Sequence, residues 1–61
     1  MHEATRTKAA KLIRAYRRHI QRYERDAVRR TGIDAEHARR MAARYRTLLD
    51  GARDMLDTLT R

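Results

Sequence analysis

The sequence has no cysteine and no proline, and only two of its 61 residues are glycine. Without cysteine, neither a disulfide nor a thiolate metal site can compensate for the small core that so short a chain buries. Because proline breaks helices and glycine destabilises them, their scarcity favours long, uninterrupted helices. We therefore predict a single all-α domain spanning residues 1–61.

Long apolar runs are also absent. No stretch approaches the roughly 18 apolar residues of a membrane span, and the N-terminal residues lack the apolar segment of a signal peptide. The sequence therefore predicts a cytoplasmic protein without a membrane span.

Catalytic and metal-binding motifs are missing as well. The chain contains no serine, and it has neither a glycine-rich phosphate loop nor a carboxylate pair held in a cleft. Its histidines, His2, His19 and His37, are spaced too widely to place two metal ligands on one helix face. We predict a non-enzymatic protein without metal or cofactor, and we expect His19 to be partly buried beside the core.

A helix break is predicted around Gly32. Glycine takes a left-handed backbone without steric cost, which suits the position just past a helix C-terminus. In such an ending Ile33 packs back on Val28, and Asp34 caps the next helix by accepting a backbone N–H from its first turn. The predicted antiparallel hairpin has helix 1 at about residues 4–31, a turn at 32–34 and helix 2 at about 35–60.

Apolar residues recur at steps of three and four in both predicted helices, which is the spacing of one helical face. In helix 2 they occupy three adjoining heptad positions, and one partner helix cannot cover so broad a face. We therefore predict that a second copy of the chain completes a four-helix bundle as a homodimer; docking on another protein is the alternative. The candidate core and dimer residues are Ile13, Tyr16, Ile20, Tyr23, Met41, Tyr45, Leu48, Leu49, Met55 and Leu56.

Positive charge is concentrated in the first half of the chain. The formal net charge is +8, from 16 basic and 8 acidic residues; +7 of it lies in residues 1–33 and +1 in residues 34–61. Such asymmetry favours a polyanionic partner that binds the first helix.

An unbroken line of basic residues follows the face of helix 1 opposite its predicted core. The line extends over 21 residues, or roughly 32 Å, close to the ~34 Å of one turn of B-DNA. Arginine binds phosphate oxygens in a bidentate way, and counterion release supplies affinity that is independent of sequence. The alternatives are a solvated helix face, an acidic protein or an anionic membrane surface. This basic stripe consists of Lys8, Lys11, Arg14, Arg18, Arg22, Arg25 and Arg29.

The three aromatic residues are all tyrosines, Tyr16, Tyr23 and Tyr45. Tyrosine rings can stack on the bases of single strands and RNA loops. Here their helical spacing places them on the apolar stripes, away from the basic stripe, so we expect them in the core or in a dimer interface.

In outline the chain resembles the plasmid copy-number regulators of the Rop type, in its length, its tight turn near mid-chain and its heptad packing. The resemblance implies a hairpin that dimerises and binds paired RNA through the outer faces of its first helices. It includes no specific motif, and this chain is far more basic. From the residues we predict a small basic regulator that binds the backbone of DNA or RNA as a homodimer. The alternative is a phage- or plasmid-type adaptor or inhibitor that lays a helix face on an acidic host protein.

Overall fold

Two long helices account for nearly all of the chain, as the scarcity of helix-breaking residues predicts. The computed structural model describes residues 3–60, with α1 at Glu3–Arg29 and α2 at Gly32–Thr60. The two helices pack against each other as a hairpin, and no strand occurs in this range. The predicted all-helical hairpin is confirmed.

The break between the helices is very short and lies slightly earlier than the predicted turn at 32–34. It consists of Arg30 and Thr31. The backbone N–H of Arg30 still donates to the carbonyl of Asp26 at 2.8 Å, which extends the hydrogen bonding of α1 by one residue. Gly32 has φ +64°, so the predicted left-handed backbone is confirmed, although this residue begins α2 rather than ending α1.

The earlier start of α2 changes the roles expected of the next two residues. Ile33 and Val28 are 84% and 86% exposed, so the expected packing of one on the other is wrong. The reason is rotation about the helix axis, because Ile33 lies two residues, or about 200°, from the buried Ala35. Asp34 lies inside the first turn of α2 instead of preceding it, so it is not the capping residue; there its charge still favours the helix dipole.

The core between the helices is thin and made mostly of small residues. Near the turn the buried residues of α2 are Ala35, Ala38 and Ala42, and further from the turn larger side chains fill the seam. Ile13, Ile20, Leu49 and Ala52 form one buried cluster, against which Tyr16, Tyr45 and Leu56 pack while half-buried. The buried residues are Ala9, Ile13, Ile20, Ala35, Ala38, Ala42, Leu49 and Ala52, of which five are alanine.

The candidate core and dimer residues differ in exposure. Ile13, Ile20 and Leu49 are buried. Leu48 and Met55 are 43% and 48% exposed, so within one chain they lie outside the core. The remaining members are half-buried: Tyr16, Tyr23, Met41, Tyr45 and Leu56.

Candidate nucleic-acid interface

The basic stripe lies along the outer side of α1, facing away from α2. Its position follows from the core, because Ile13 and Ile20 turn toward α2 and the stripe residues are about half a helical turn away. All seven stripe residues are exposed: Lys8, Lys11, Arg14, Arg18, Arg22, Arg25 and Arg29. Their charged groups are therefore accessible to a large polyanion.

A shallow open groove of about 770 Å³ runs among the side chains of the N-terminal part of this stripe. Leu12 and Ala15 supply its apolar lining, and no acidic side chain lines it. The groove can therefore accept an extended anionic backbone lying against the stems of the basic side chains. Its lining consists of Lys8, Lys11, Leu12, Arg14, Ala15, Arg17, Arg18 and Gln21.

Arg17 is a groove residue that the sequence pattern missed. It lies about 100° from Arg18 around the helix, so a count of positions assigns it to the flank and not to the stripe. A long, flexible side chain can nevertheless reach the groove from a neighbouring position. Its side-chain length is the signal that could have added it to the prediction.

The tyrosines form a cluster on one flank of the seam between the helices. The ring centroids of Tyr16 and Tyr45 are 5.8 Å apart, and those of Tyr23 and Tyr45 are also 5.8 Å apart, the latter pair stacked. His19 stacks on Tyr45 at 4.9 Å, and His37 meets the edge of Tyr23 at 6.4 Å. His19 is exposed, so the expected partial burial is wrong: one face of its ring is covered by Tyr45 and the rest of the side chain is not.

The opposite flank of the seam is charged. There the guanidinium Nη2 of Arg46 donates to Oε1 of Glu24, which joins the two helices. Arg46 follows Tyr45 directly and Glu24 follows Tyr23, and successive side chains are about 100° apart on a helix. The aromatic contacts and the ion pair therefore lie on opposite sides of the hairpin.

The aromatic flank extends along α2 by helical spacing. Met41 lies four residues before Tyr45, Leu48 lies three after it, and Met55 lies seven after Leu48, so all share one side of the helix. We name this surface the aromatic face. It consists of Tyr16, His19, Tyr23, Met41, Tyr45, Leu48, Met55 and Leu59.

Membrane-spanning helices and metal-binding clusters are both absent from the part of the chain that the structure describes. Neither helix there is long and apolar enough to cross a bilayer. Across residues 3–60, histidine and acidic side chains nowhere form a group of three that could hold a metal ion.

The chain is thus a helical hairpin with three distinct surfaces: a basic outer stripe, an aromatic face and a charged flank. Comparison with protein-family models, with curated proteins and with solved structures finds no match.

Proposed function

We propose that this chain is a small, basic, non-enzymatic regulator that binds the backbone of a nucleic acid. The observation that carries the proposal is the basic stripe, whose seven exposed cations follow one side of α1 with the half-buried Asp26 at its edge. A solvated helix face is usually mixed in sign, whereas a surface that binds phosphates needs one sign along its length.

The chemistry of the stripe suits phosphate contacts. Five of its seven members are arginines, whose planar guanidinium groups bind two phosphate oxygens at once. Each phosphate neutralised in this way releases condensed counterions, and that release supplies affinity for any sequence. The stripe's length of roughly 32 Å allows it to follow about one turn of a duplex.

The side chains that line the groove on α1 favour contact with the nucleic-acid backbone over readout of the bases. Gln21 is the only amide side chain that lines this groove, so adenine, which amides read in a bidentate way, has a single candidate reader there. The tyrosine rings are packed on one another at the seam between the helices. They are therefore poorly placed to stack on bases held by the stripe. We expect binding with little sequence preference.

We further propose that the binding unit is a homodimer in which four helices form an antiparallel bundle. The thin, alanine-rich core of a single hairpin supports this proposal. Small domains with so little buried apolar surface usually gain stability by assembly. A dimer carries two basic stripes, which raises its avidity for a long polyanion.

Replacing Arg18, Arg22 and Arg25 together by glutamine tests the stripe. These side chains are exposed and far from the core, so helix content and melting temperature should be nearly unchanged. Affinity for DNA and RNA duplexes should fall for all sequences alike. The slope of log K against log salt should flatten by about 0.9 for each lost contact to duplex DNA. Titration across a salt series measures both quantities.

The matched control changes Arg39, Arg44 and Arg53 of α2 to glutamine, which removes the same charge while sparing the ion pair of Arg46 with Glu24. It should weaken binding much less than the α1 variant. Equal losses of affinity in the two triple variants would mean that the stripe acts only through the protein's net charge and not through its position on α1. Failure of the unaltered protein to bind any nucleic acid at low salt would overturn the proposal.

The adaptor alternative has one observation in its favour, an apolar tip beside the turn. Val28 and Ile33 are 86% and 84% exposed there, next to Arg29 and Arg30. Such a tip could contact an apolar patch rimmed by acids on a host protein. Under this alternative, changing Val28 and Ile33 to serine abolishes capture of an acidic partner and leaves nucleic-acid affinity unaltered.

A further inference from the structure

We infer that the aromatic face is the surface through which two copies of this chain pair. The inference deepens the homodimer of the proposed function by assigning its interface, and it does not depend on nucleic-acid binding. Three observations carry it: a second apolar seam on α2, the surface area that the single chain leaves exposed, and the distribution of charge around the hairpin.

The second seam is offset from the side of α2 that packs on α1, and it shares Ala52 and part of Tyr45 with that side. The buried residues of α2 repeat at heptad spacing from Ala35 to Ala52 and mark the side that faces α1. A further set, offset to one side, runs at steps of four and three through six consecutive positions: Met41, Tyr45, Leu48, Ala52, Met55 and Leu59. All six are apolar or tyrosine. A seam of this length is the pattern by which one helix packs against another.

The single chain exposes more surface than a compact monomer of its mass, and the excess is about the area that one partner would cover. Its accessible surface is 5170 Å², whereas a compact monomer of 7.3 kDa exposes about 4,200 Å². The excess is roughly 1,000 Å², and a stable protein–protein interface buries about 800 Å² on each side. The shape agrees, because the radius of gyration is 14.0 Å against about 10.5 Å for a compact chain of this length.

Charge favours a second copy over other occupants. The side chains of the aromatic face are uncharged, and Asp26, Arg30 and Asp34 border it only at its turn end, around Tyr23. An acidic protein or an anionic membrane would therefore be attracted to the basic stripe and not to this face. A second copy presents an identical uncharged surface, and the elongated hairpin, 47 × 14 × 11 Å, packs lengthwise against it as a bundle of four helices. The stripe points away from α2 and remains exposed in the pair.

The decisive variant changes Leu48 and Met55 together to glutamate. Both side chains are already 43% and 48% exposed in one hairpin, so the change removes little of the core. In a pair it places four carboxylates in the apolar contact, and the dissociation constant should rise at least a hundredfold. Sedimentation equilibrium measures the constant, and circular dichroism measures helix content.

The matched control changes Ala43 and Thr47 to glutamate; both are exposed and lie away from the aromatic face. This control should remain dimeric. Retention of the dimer by the Leu48→Glu, Met55→Glu variant would overturn the inference. A monomeric unaltered protein at micromolar concentration would overturn it too.

A second measurement covers the case in which the glutamate variant does not fold. Since the chain has no cysteine, a single Leu48→Cys substitution should allow a short bismaleimide to link two copies. Ala43→Cys should give no linked pair at the same concentration. The reverse pattern would exclude the aromatic face.

The interface and the proposed nucleic-acid binding can fail separately. A protein that dimerises through this face but binds no nucleic acid would contradict the proposed binding and support the interface. A monomer that binds nucleic acid would contradict the interface and support the binding.

Discussion

At the scale of single residues, the two glycines differ in backbone conformation, although a side chain would have space at either position. A Cβ added at Gly32 or at Gly51 would meet no atom within 4 Å. Only Gly32 has a positive φ, +64°. A residue with a Cβ adopts this left-handed backbone at a cost of about 1–2 kcal/mol. Gly51 lies inside α2, where glycine costs up to about 1 kcal/mol relative to alanine.

We therefore expect Gly51→Ala to raise the free energy of unfolding by up to about 1 kcal/mol. Gly32→Val should lower it by more than 1–2 kcal/mol, roughly the cost of a left-handed residue increased by β-branching. Thermal melts of the two variants at equal concentration compare them. The opposite ranking would mean that the chain bends at Gly51.

The sequence predicts the break at Gly32 because only two glycines are available and the apolar pattern of helix 2 continues in phase across Gly51. The side-chain directions of Ile33 and Asp34 are harder to predict. α2 begins at Gly32, three residues before the predicted start at residue 35, so Asp34 lies in its first turn and not at the cap, and Ile33 lies on an exposed side. Heptad spacing does not depend on where the helix starts, which is why the apolar face of α2 was predictable and the cap was not.

At the scale of the helix, the sequence predicts that α2 has a broad apolar face but not which part of it contacts α1. Leu48 and Leu49 are adjacent and identical, yet Leu49 is 9% exposed and Leu48 is 43% exposed. The difference depends on how α2 rotates to bring Ala38 and Ala42 against α1, and close packing of alanine decides that rotation.

Leu49→Ala should consequently lower the free energy of unfolding by about 2–5 kcal/mol at any protein concentration. Leu48→Ala should lower the free energy of unfolding by much less than Leu49→Ala in dilute protein, and by more at concentrations where two copies assemble. Chemical denaturation at two concentrations separates these effects. Equal costs for the two leucines at high dilution would contradict the observed rotation of α2.

The basic stripe was predictable at the same scale because it depends only on the period of α1. Once Ile13 and Ile20 mark the inner side, the outer side follows from 3.6 residues per turn. The groove contribution of Arg17 was not predictable in this way. It depends on the reach of one side chain rather than on its position in the helix.

At the scale of the whole molecule, stability should depend on concentration. Within residues 3–60 the hairpin buries eight apolar residues, five of them alanine, and in the proposed dimer a second copy would cover apolar side chains that remain exposed. Association then contributes through mass action, so the melting temperature should rise steadily as the protein is concentrated. Calorimetry over a hundredfold concentration range provides the measurement, and a constant midpoint would indicate a self-sufficient hairpin.

The two-residue break between the helices has a consequence for topology. If residues 30–32 took right-handed helical dihedrals, α1 and α2 would join into one rod from Glu3 to Thr60, about 87 Å long at 1.5 Å per residue. Two such rods lying antiparallel could bury the same seam between chains that the hairpin buries within one. The folded-back chain and the exchanged pair of rods therefore share their side-chain contacts, and the left-handed backbone of Gly32 is what selects between them.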